Sequence, residues 1–317
     1  MSTTLGVTRP EQASYMLRAA ASSAGRAYKR QLIDLLDIAP GQTALDVGCG
    51  PGTDLPAMAE RVGEHGTVIG VDRDASMLTQ ARVRTSGLRG VEVREGDVHA
   101  LPVEPGSVDR AKIDRVLMHV AEPGDALVQL HRVTRSGALV GLVEPDWDTL
   151  VVDAEDLQTS RAFTRYTTEK AVRNATIGRS LGRLAEKAGF RVETVVATTP
   201  VFRDFTEADH TLGLGRNMQQ AINAGYVAQD RGRRWFADLA EGPFYASFTL
   251  ITVICSRWPE NRRRQLPDSA GRSAASTGWR AFPDGRRGSH GPVCHGCAAE
   301  PSRRFRGGGQ GLSSRIA

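Results

Sequence analysis

The stretch Leu45-Asp46-Val47-Gly48-Cys49-Gly50-Pro51-Gly52-Thr53-Asp54 constrains the fold more than any other part of the 317-residue chain. Upstream, Gly41-Gln42 reads as a turn feeding a short buried strand over 43–47. Downstream, residues 54–61 (DLPAMAER) have helical spacing and no internal glycine. The glycines therefore fall where a strand turns sharply into a helix. That position needs residues that accept positive φ and let a ligand approach the backbone closely. The helix start also offers unpaired N–H groups and the positive end of its dipole to an anionic group.

Spacing separates the ligands that use such a turn. The dinucleotide fingerprint G-x-G-x-x-G needs a third glycine where this chain has Thr53. A phosphate-binding P-loop would end in Gly-Lys-Ser/Thr, which is absent. A glycine-rich turn with no ligand is the remaining bland alternative. The order of the following segments argues against it.

Strands and helices alternate from here: helix 54–62, strand 67–71, helix 75–86, strand 91–94, strand 108–113, helix 123–134 and strand 138–143. This spacing predicts an α/β fold with a doubly wound, mostly parallel sheet. Ligands of such sheets bind at the carboxyl ends of the strands, near the switch point. Polar residues fall at those ends. Asp72 closes the second strand, 20 residues past Gly52, where an acid can accept both hydroxyls of a ribose. Glu95-Gly96-Asp97-Val98 follows the third strand, Asp114-Arg115-Val116-Leu117-Met118-His119 the fourth, and Glu144-Pro145-Asp146-Trp147 ends the fifth.

With this turn and these strand ends, residues 35–150 resemble the class I S-adenosylmethionine (SAM) methyltransferases. They are most like the small-molecule branch that includes the ubiquinone and menaquinone C-methyltransferases. The resemblance implies a seven-stranded, Rossmann-like sheet and SAM as the cofactor. It also implies that Asp46, Gly48 and Gly50 cradle the methionyl end, that Asp72 takes the ribose, and that Asp97 and Val98 take the adenine. Asp114 is placed among the cofactor-facing residues. For Asp46, backbone support and direct contact both stay open.

Outside that region the organisation is read from pattern alone. Residues 11–36 read as two helical pieces within an N-terminal region 1–36, which either pack on the sheet or form a lid over the ligand pocket lined by Tyr15 or Tyr28. The methyltransferase domain is expected over 37–258. Within it, residues 155–173 read as helix, 177–179 lead into a helix ending at Ala188-Gly189-Phe190, and 190–196 read as the sixth strand. Residues 205–241 form a helical insertion before 244–255, an apolar β-rich run that fits a seventh, antiparallel strand. Residues 259–317 carry 11 arginines, ten glycines and five prolines with almost no apolar period, and are expected to be disordered. Cys294-His295-Gly296-Cys297 with His290 has the spacing of half a zinc site, but no second Cys/His pair sits nearby. No metal is expected.

The net charge of +5 belongs to that tail, because the first 258 residues are close to neutral. Nucleic-acid binding thus lacks its electrostatic footprint. The motifs of DNA and RNA methylation are also missing: 114–117 is not Asp/Asn-Pro-Pro-aromatic and has no cysteine for a cytosine C5 attack. Only Lys29, Lys112, Lys170 and Lys187 are lysines among 41 basic residues, which reads as a GC-rich coding style. There is no basic-then-apolar leader and no apolar run of the ~18–20 residues that a membrane span needs. Four cysteines make no disulfide framework. A cytoplasmic protein without membrane or nucleic-acid partners is expected. A homodimer is left open.

Methyl transfer from a sulfonium is an in-line displacement on a group that is already activated, so the protein supplies mainly position and desolvation. A base is needed only when the nucleophile arrives protonated. His119 is the candidate base, with a structural or substrate-bonding role as the alternative. Tyr15, Tyr28, Trp147, Phe163 and Tyr166 offer an aromatic wall for a flat substrate, though each is readable as core. The sequence predicts a SAM-dependent methyltransferase that O-methylates a bacterial secondary metabolite, such as an aromatic polyketide acid or phenol, in antibiotic biosynthesis. C-methylation of a quinone or terpenoid precursor is the alternative within the class. A SAM-binding accessory protein or a cyclase is the alternative outside it.

Overall fold

A computed structural model describes residues 12–258. Two helices, α1 (Gln12–Ala21) and α2 (Ser23–Leu35), lead into β1 (Thr43–Val47). The alternation then runs α3 (Leu55–Val62), β2 (Thr67–Asp72), α4 (Ala75–Thr85), β3 (Val91–Glu95), β4 (Val108–Asp114), α5 (Pro123–Val133) and β5 (Thr134–Val152). After α6 (Leu157–Tyr166) and α7 (Leu181–Lys187) come β6 (Phe190–Thr198) and β7 (Val201–Phe202). Three helices, α8 (Phe205–Leu212), α9 (Leu214–Asn223) and α10 (Gln229–Glu241), precede β8 (Ala246–Arg257). The expected tail at 259–317, with its half zinc site, lies outside the described residues.

The strands form one sheet in the order β3-β2-β1-β4-β5-β8-β6, with the short β7 paired to β8. β1 to β5 run parallel, and β8 is antiparallel to both β5 and β6. The chain crosses over between β1 and β4, so their carboxyl ends flank the switch point. The expected seven strands are present, and β7 is an eighth that the sequence reading missed.

Both faces of the sheet are buried, as parallel sheets require. Leu45, Val47, Ile69, Val71, Ala111 and Ile113 point to one face, under α5 and α7. The alternate positions Ala44 and Val68 point to the other, under α2, α3 and α4. Leu32 and Leu36 beside the sheet are fully buried there, so α2 belongs to the core. A third core lies beyond the strand ends, where α6 and α8–α10 gather around Phe163, Met218 and Trp235. Trp235 donates its indole N–H to Ser160 Oγ at 2.8 Å, which ties α10 to α6.

Three boundaries differ from the sequence reading. β5 does not stop near 143; it runs on to Val152, paired with β8 on both sides of an irregularity between Asp146 and Val151. Trp147 therefore lies within a strand. The helix expected over 155–173 ends at Tyr166 and continues as one π turn, Thr167–Ala171. The last strand starts at Ala246, because Phe244 is buried in the helical core.

Candidate active site

β1 ends at Val47, and the chain reverses through Gly48, Gly50 and Gly52 with φ of 71°, 52° and 74°. Side chains rarely adopt these angles. Space adds to this at Gly48, where a Cβ would collide with Val116 Cγ2; one on Gly50 would meet only the flexible tip of Met16, 2.5 Å from Cε. The methionine tip shows that α1 lies over the turn. Gly48 and Cys49 donate their N–H groups to Val71 O at 2.7 and 3.0 Å. The Asp72 carboxylate accepts from Gly50 N–H at 2.8 Å through Oδ2 and from Asp74 N–H at 2.9 Å through Oδ1. It thus ties the glycine turn to the turn that starts α4. Each oxygen keeps a further lone pair, so the same carboxylate can accept ribose hydroxyls. Gly96 N–H donates to Asp72 O, which brings the end of β3 alongside. There Asp97 is half exposed and accepts from His99 N–H at 2.8 Å, and these bonds hold its carboxyl below the usual range. Val98 packs on the core beside it.

Beneath the turn runs a buried chain of alternating charge. Asp46 and Lys112 are register partners across β1 and β4 and form a 2.8 Å ion pair. Lys112 also meets Asp54 at 2.8 Å, Asp54 meets Lys29 at 2.7 Å, and Lys29 meets Asp114 at 2.9 Å. Tyr28 OH donates to Asp114 Oδ2 at 3.2 Å. Burial opposes every one of these charges, but the alternation outweighs it. Asp54 stays well below the usual carboxylate range between Lys112 and Lys29, and Asp114 is lowered by Lys29, Arg115 and Lys112. Lys29 and Lys112 are held above the usual lysine range. Asp46, the most enclosed, is pushed by burial up to about 6 despite Lys112. Asp54 occupies the N-cap position of α3 without a side-chain cap bond, because its carboxylate is turned to the lysines.

The segment after β4 is clamped from two sides. Arg115 has a φ of 56°, a left-handed conformation rare outside glycine, and donates its N–H to Val143 O at 2.8 Å. Its guanidinium lies 5.8 Å from the Tyr28 ring centroid. Glu144, fully buried on β5, accepts from the N–H groups of Val116 and Leu117 at 2.9 and 2.5 Å through one oxygen. Burial pushes its carboxyl up to about 8. Asn174 Nδ2 donates to Leu117 O and Val120 O, both at 2.8 Å. On the exposed side of this segment stands His119. Desolvation and the charges of Arg115 and Arg73 lower its pKa, which favours the neutral imidazole.

The structure brings the glycine turn, Asp72, Asp97, Asp114 and His119 to one end of the sheet. It does not gather the aromatic residues into one wall. Tyr28 sits in the ion chain, and Trp147 stacks on Phe248 at 4.9 Å with its Nε1 buried and unpartnered. Phe163 stacks near Trp235, and Tyr166 donates to Gln220 Oε1 at 3.1 Å inside the helical core. Tyr15 lies on α1, but its side chain is outside the described residues. Sequence reasoning passed over Lys29, Asp54, Lys112, Arg115 and Glu144. The lysine scarcity was the available signal: two of the four lysines sit in this chain of charges, and coding style does not account for that placement.

A family model described as a methyltransferase domain matches residues 38–189. An uncharacterised 37.1 kDa protein in transposon Tn4556 of Streptomyces fradiae is 50% identical over 250 residues, 79% of this chain and 72% of that protein. A demethylmenaquinone methyltransferase of Bacillus cereus is 32% identical over 128 residues. That match covers 40% of this chain and about half (54%) of the menaquinone enzyme. Among solved structures, a protein from Bacillus halodurans described as a candidate methyltransferase superposes with a TM-score of 0.56 at 17% identity. That superposition covers 74% of this chain and 100% of the other, and likeness at that identity speaks for the fold alone. The YcgJ protein of Bacillus subtilis gives 0.55 at 16%, over 74% and 99%. Taken with the positive-φ glycine turn, the Asp72 carboxylate facing it and the strand order, these matches place the chain in the class I SAM-dependent methyltransferases.

Proposed function

We propose that this enzyme methylates a small-molecule acceptor on oxygen, a phenol or aromatic acid of the secondary-metabolite type. SAM brings an activated methyl group on a sulfonium. The chain's residues hold and orient it: Asp72 accepts from the ribose, the turn at Gly48 and Gly50 leaves room beside the backbone, and Asp97 with Val98 borders the adenine. Asp46 acts as support, since it is buried against Lys112. The observation that carries the oxygen reading is His119. It stands on the exposed side of the strand-end cluster, after β4, with its pKa lowered towards the neutral form that can take the proton of an acceptor hydroxyl. α1, with Met16 against Gly50, serves as the lid over this end.

The second reading is C-methylation of a quinone precursor, and the demethylmenaquinone methyltransferases among the relatives favour it. Incubation with methyl-labelled SAM and a panel of phenols, aromatic acids and quinols separates the two, with the methylated atom read by NMR. Oxygen-methylated product, with a rate that falls at least tenfold in His119→Ala for phenols, is the expected result. Label on ring carbon moves the assignment to the second reading. SAM binding without transfer to any acceptor overturns both and leaves a cyclase or accessory role.

A further inference from the structure

A cavity of about 320 Å³ opens in the helical region, between α6 and the start of α10, and shares no lining residue with the strand-end site. Its lining residues include three arginines, the exposed Arg161 and Arg165 and the half-buried Arg231, and no aspartate or glutamate. The rest of the lining includes Ala162, Val227 and the Tyr226 ring. Arg231 is already neutralised: it grips Asp156 with Nη2 at 2.6 Å and Nε at 3.1 Å, and it also donates to Gln158. Arg161 has no ion pair or hydrogen bond among the described residues, and Arg165 has only the face of Tyr226, 5.5 Å from its guanidinium carbon. Glu169 stands four residues past Arg165 but accepts from Tyr226 OH at 2.6 Å instead. Asp230, at the start of α10, pairs with Arg234.

Arg161 and Arg165 are an i,i+4 pair on one helix face. Like charges at that spacing destabilise a helix, while opposite charges there support it. Two uncompensated guanidiniums that edge one small cavity are matched by a dianion, because guanidinium donors fit phosphate oxygens two at a time. A monocarboxylate would leave one of the two charges unmatched. We propose that this cavity binds a phosphomonoester, Arg161 and Arg165 holding the phosphate while Tyr226, Val227 and Ala162 cover the organic part.

Phenyl phosphate is a suitable probe and benzoate its monoanionic counterpart, each titrated calorimetrically into the full chain at constant ionic strength. Phenyl phosphate should bind and raise the melting temperature by linkage, and benzoate should bind at least tenfold more weakly. The double variant Arg161→Gln/Arg165→Gln should melt no lower than the parent without ligand, since it loses a repulsion. It should bind phenyl phosphate at least tenfold more weakly while its SAM affinity stays unchanged. Arg89→Gln, which removes an exposed arginine elsewhere, should behave as the parent. Phenyl phosphate binding that survives in the double variant, or benzoate binding as tightly, overturns the assignment. So does the absence of any phenyl phosphate binding to the parent.

Discussion

Two buried residues set how firmly the candidate site is built. Lys112 balances Asp46 and Asp54 in the interior, where an ion pair gains little overall but a lone charge is costly. Lys112→Met should therefore destabilise the fold by about 3–5 kcal/mol in denaturant titration. A loss under about 1 kcal/mol would mean the carboxylates find water or each other. Glu144 gives a pH test. Its carboxyl is pushed from 4.5 up to about 8 by burial, so between those values the folded state keeps a proton that the unfolded state has released. Stability contributed by this group is complete below pH 4.5 and is lost as pH rises towards 8. Glu144→Gln keeps an acceptor for Val116 and Leu117 and cannot titrate. It should flatten that decline, so that the melting temperatures of the two proteins diverge in its favour as pH rises from 4.5 to about 8. Parallel melting curves across this window would show that Glu144 is ionised in the folded protein. Lys112 was passed over, although its period-2 position on β4 faces the same side as its register partner Asp46 on β1. Asp54, which pairs with Lys112, and Lys29, which pairs with Asp54, left no such local signal, since only the packing of α2 and α3 brings them there.

At the scale of elements, the parallel half of the sheet was legible because each strand is a short apolar run bounded by turn residues. β5 was ended at 143, just before Pro145, a residue that normally ends a strand. The structure shows why it does not. β4 stops pairing at Val143, so beyond it β5 is bonded on one side to β8 while Trp147 N–H turns to Ala175 O on the other. A proline on the unpaired side removes no ladder bond. The two-residue β7 is too short to carry a periodic signal, and its pairing to β8 depends on where α8 begins. α2 was left between lid and core, and Leu32 and Leu36 under the sheet place it in the core. α1 stays the candidate for the proposed lid: its Met16 touches the glycine turn through a flexible tip able to yield to a ligand.

For the whole molecule, the antiparallel end of the sheet is the seam between the cofactor half and the helical region. β8 lies between β5 and β6, its late residues Val253 and Cys255 in the sheet core and its first residue Ala246 in the helical core. No local element can replace it, because β5 and β6 do not touch in the strand order. A chain ending at Gly242 would leave both strands with an unpaired apolar edge, a ready template for aggregation. Every described helix and strand ends at or before Arg257, so a chain ending at Trp258 keeps all of them. The shorter form should be insoluble or unfolded. The form ending at Trp258 should match the full chain in circular dichroism, melting temperature and calorimetric SAM affinity. A soluble, SAM-binding protein from the Gly242 truncation would show that the parallel half folds without its antiparallel partner. Loss of SAM affinity in the Trp258 form would show that residues beyond 258 contribute to the cofactor site.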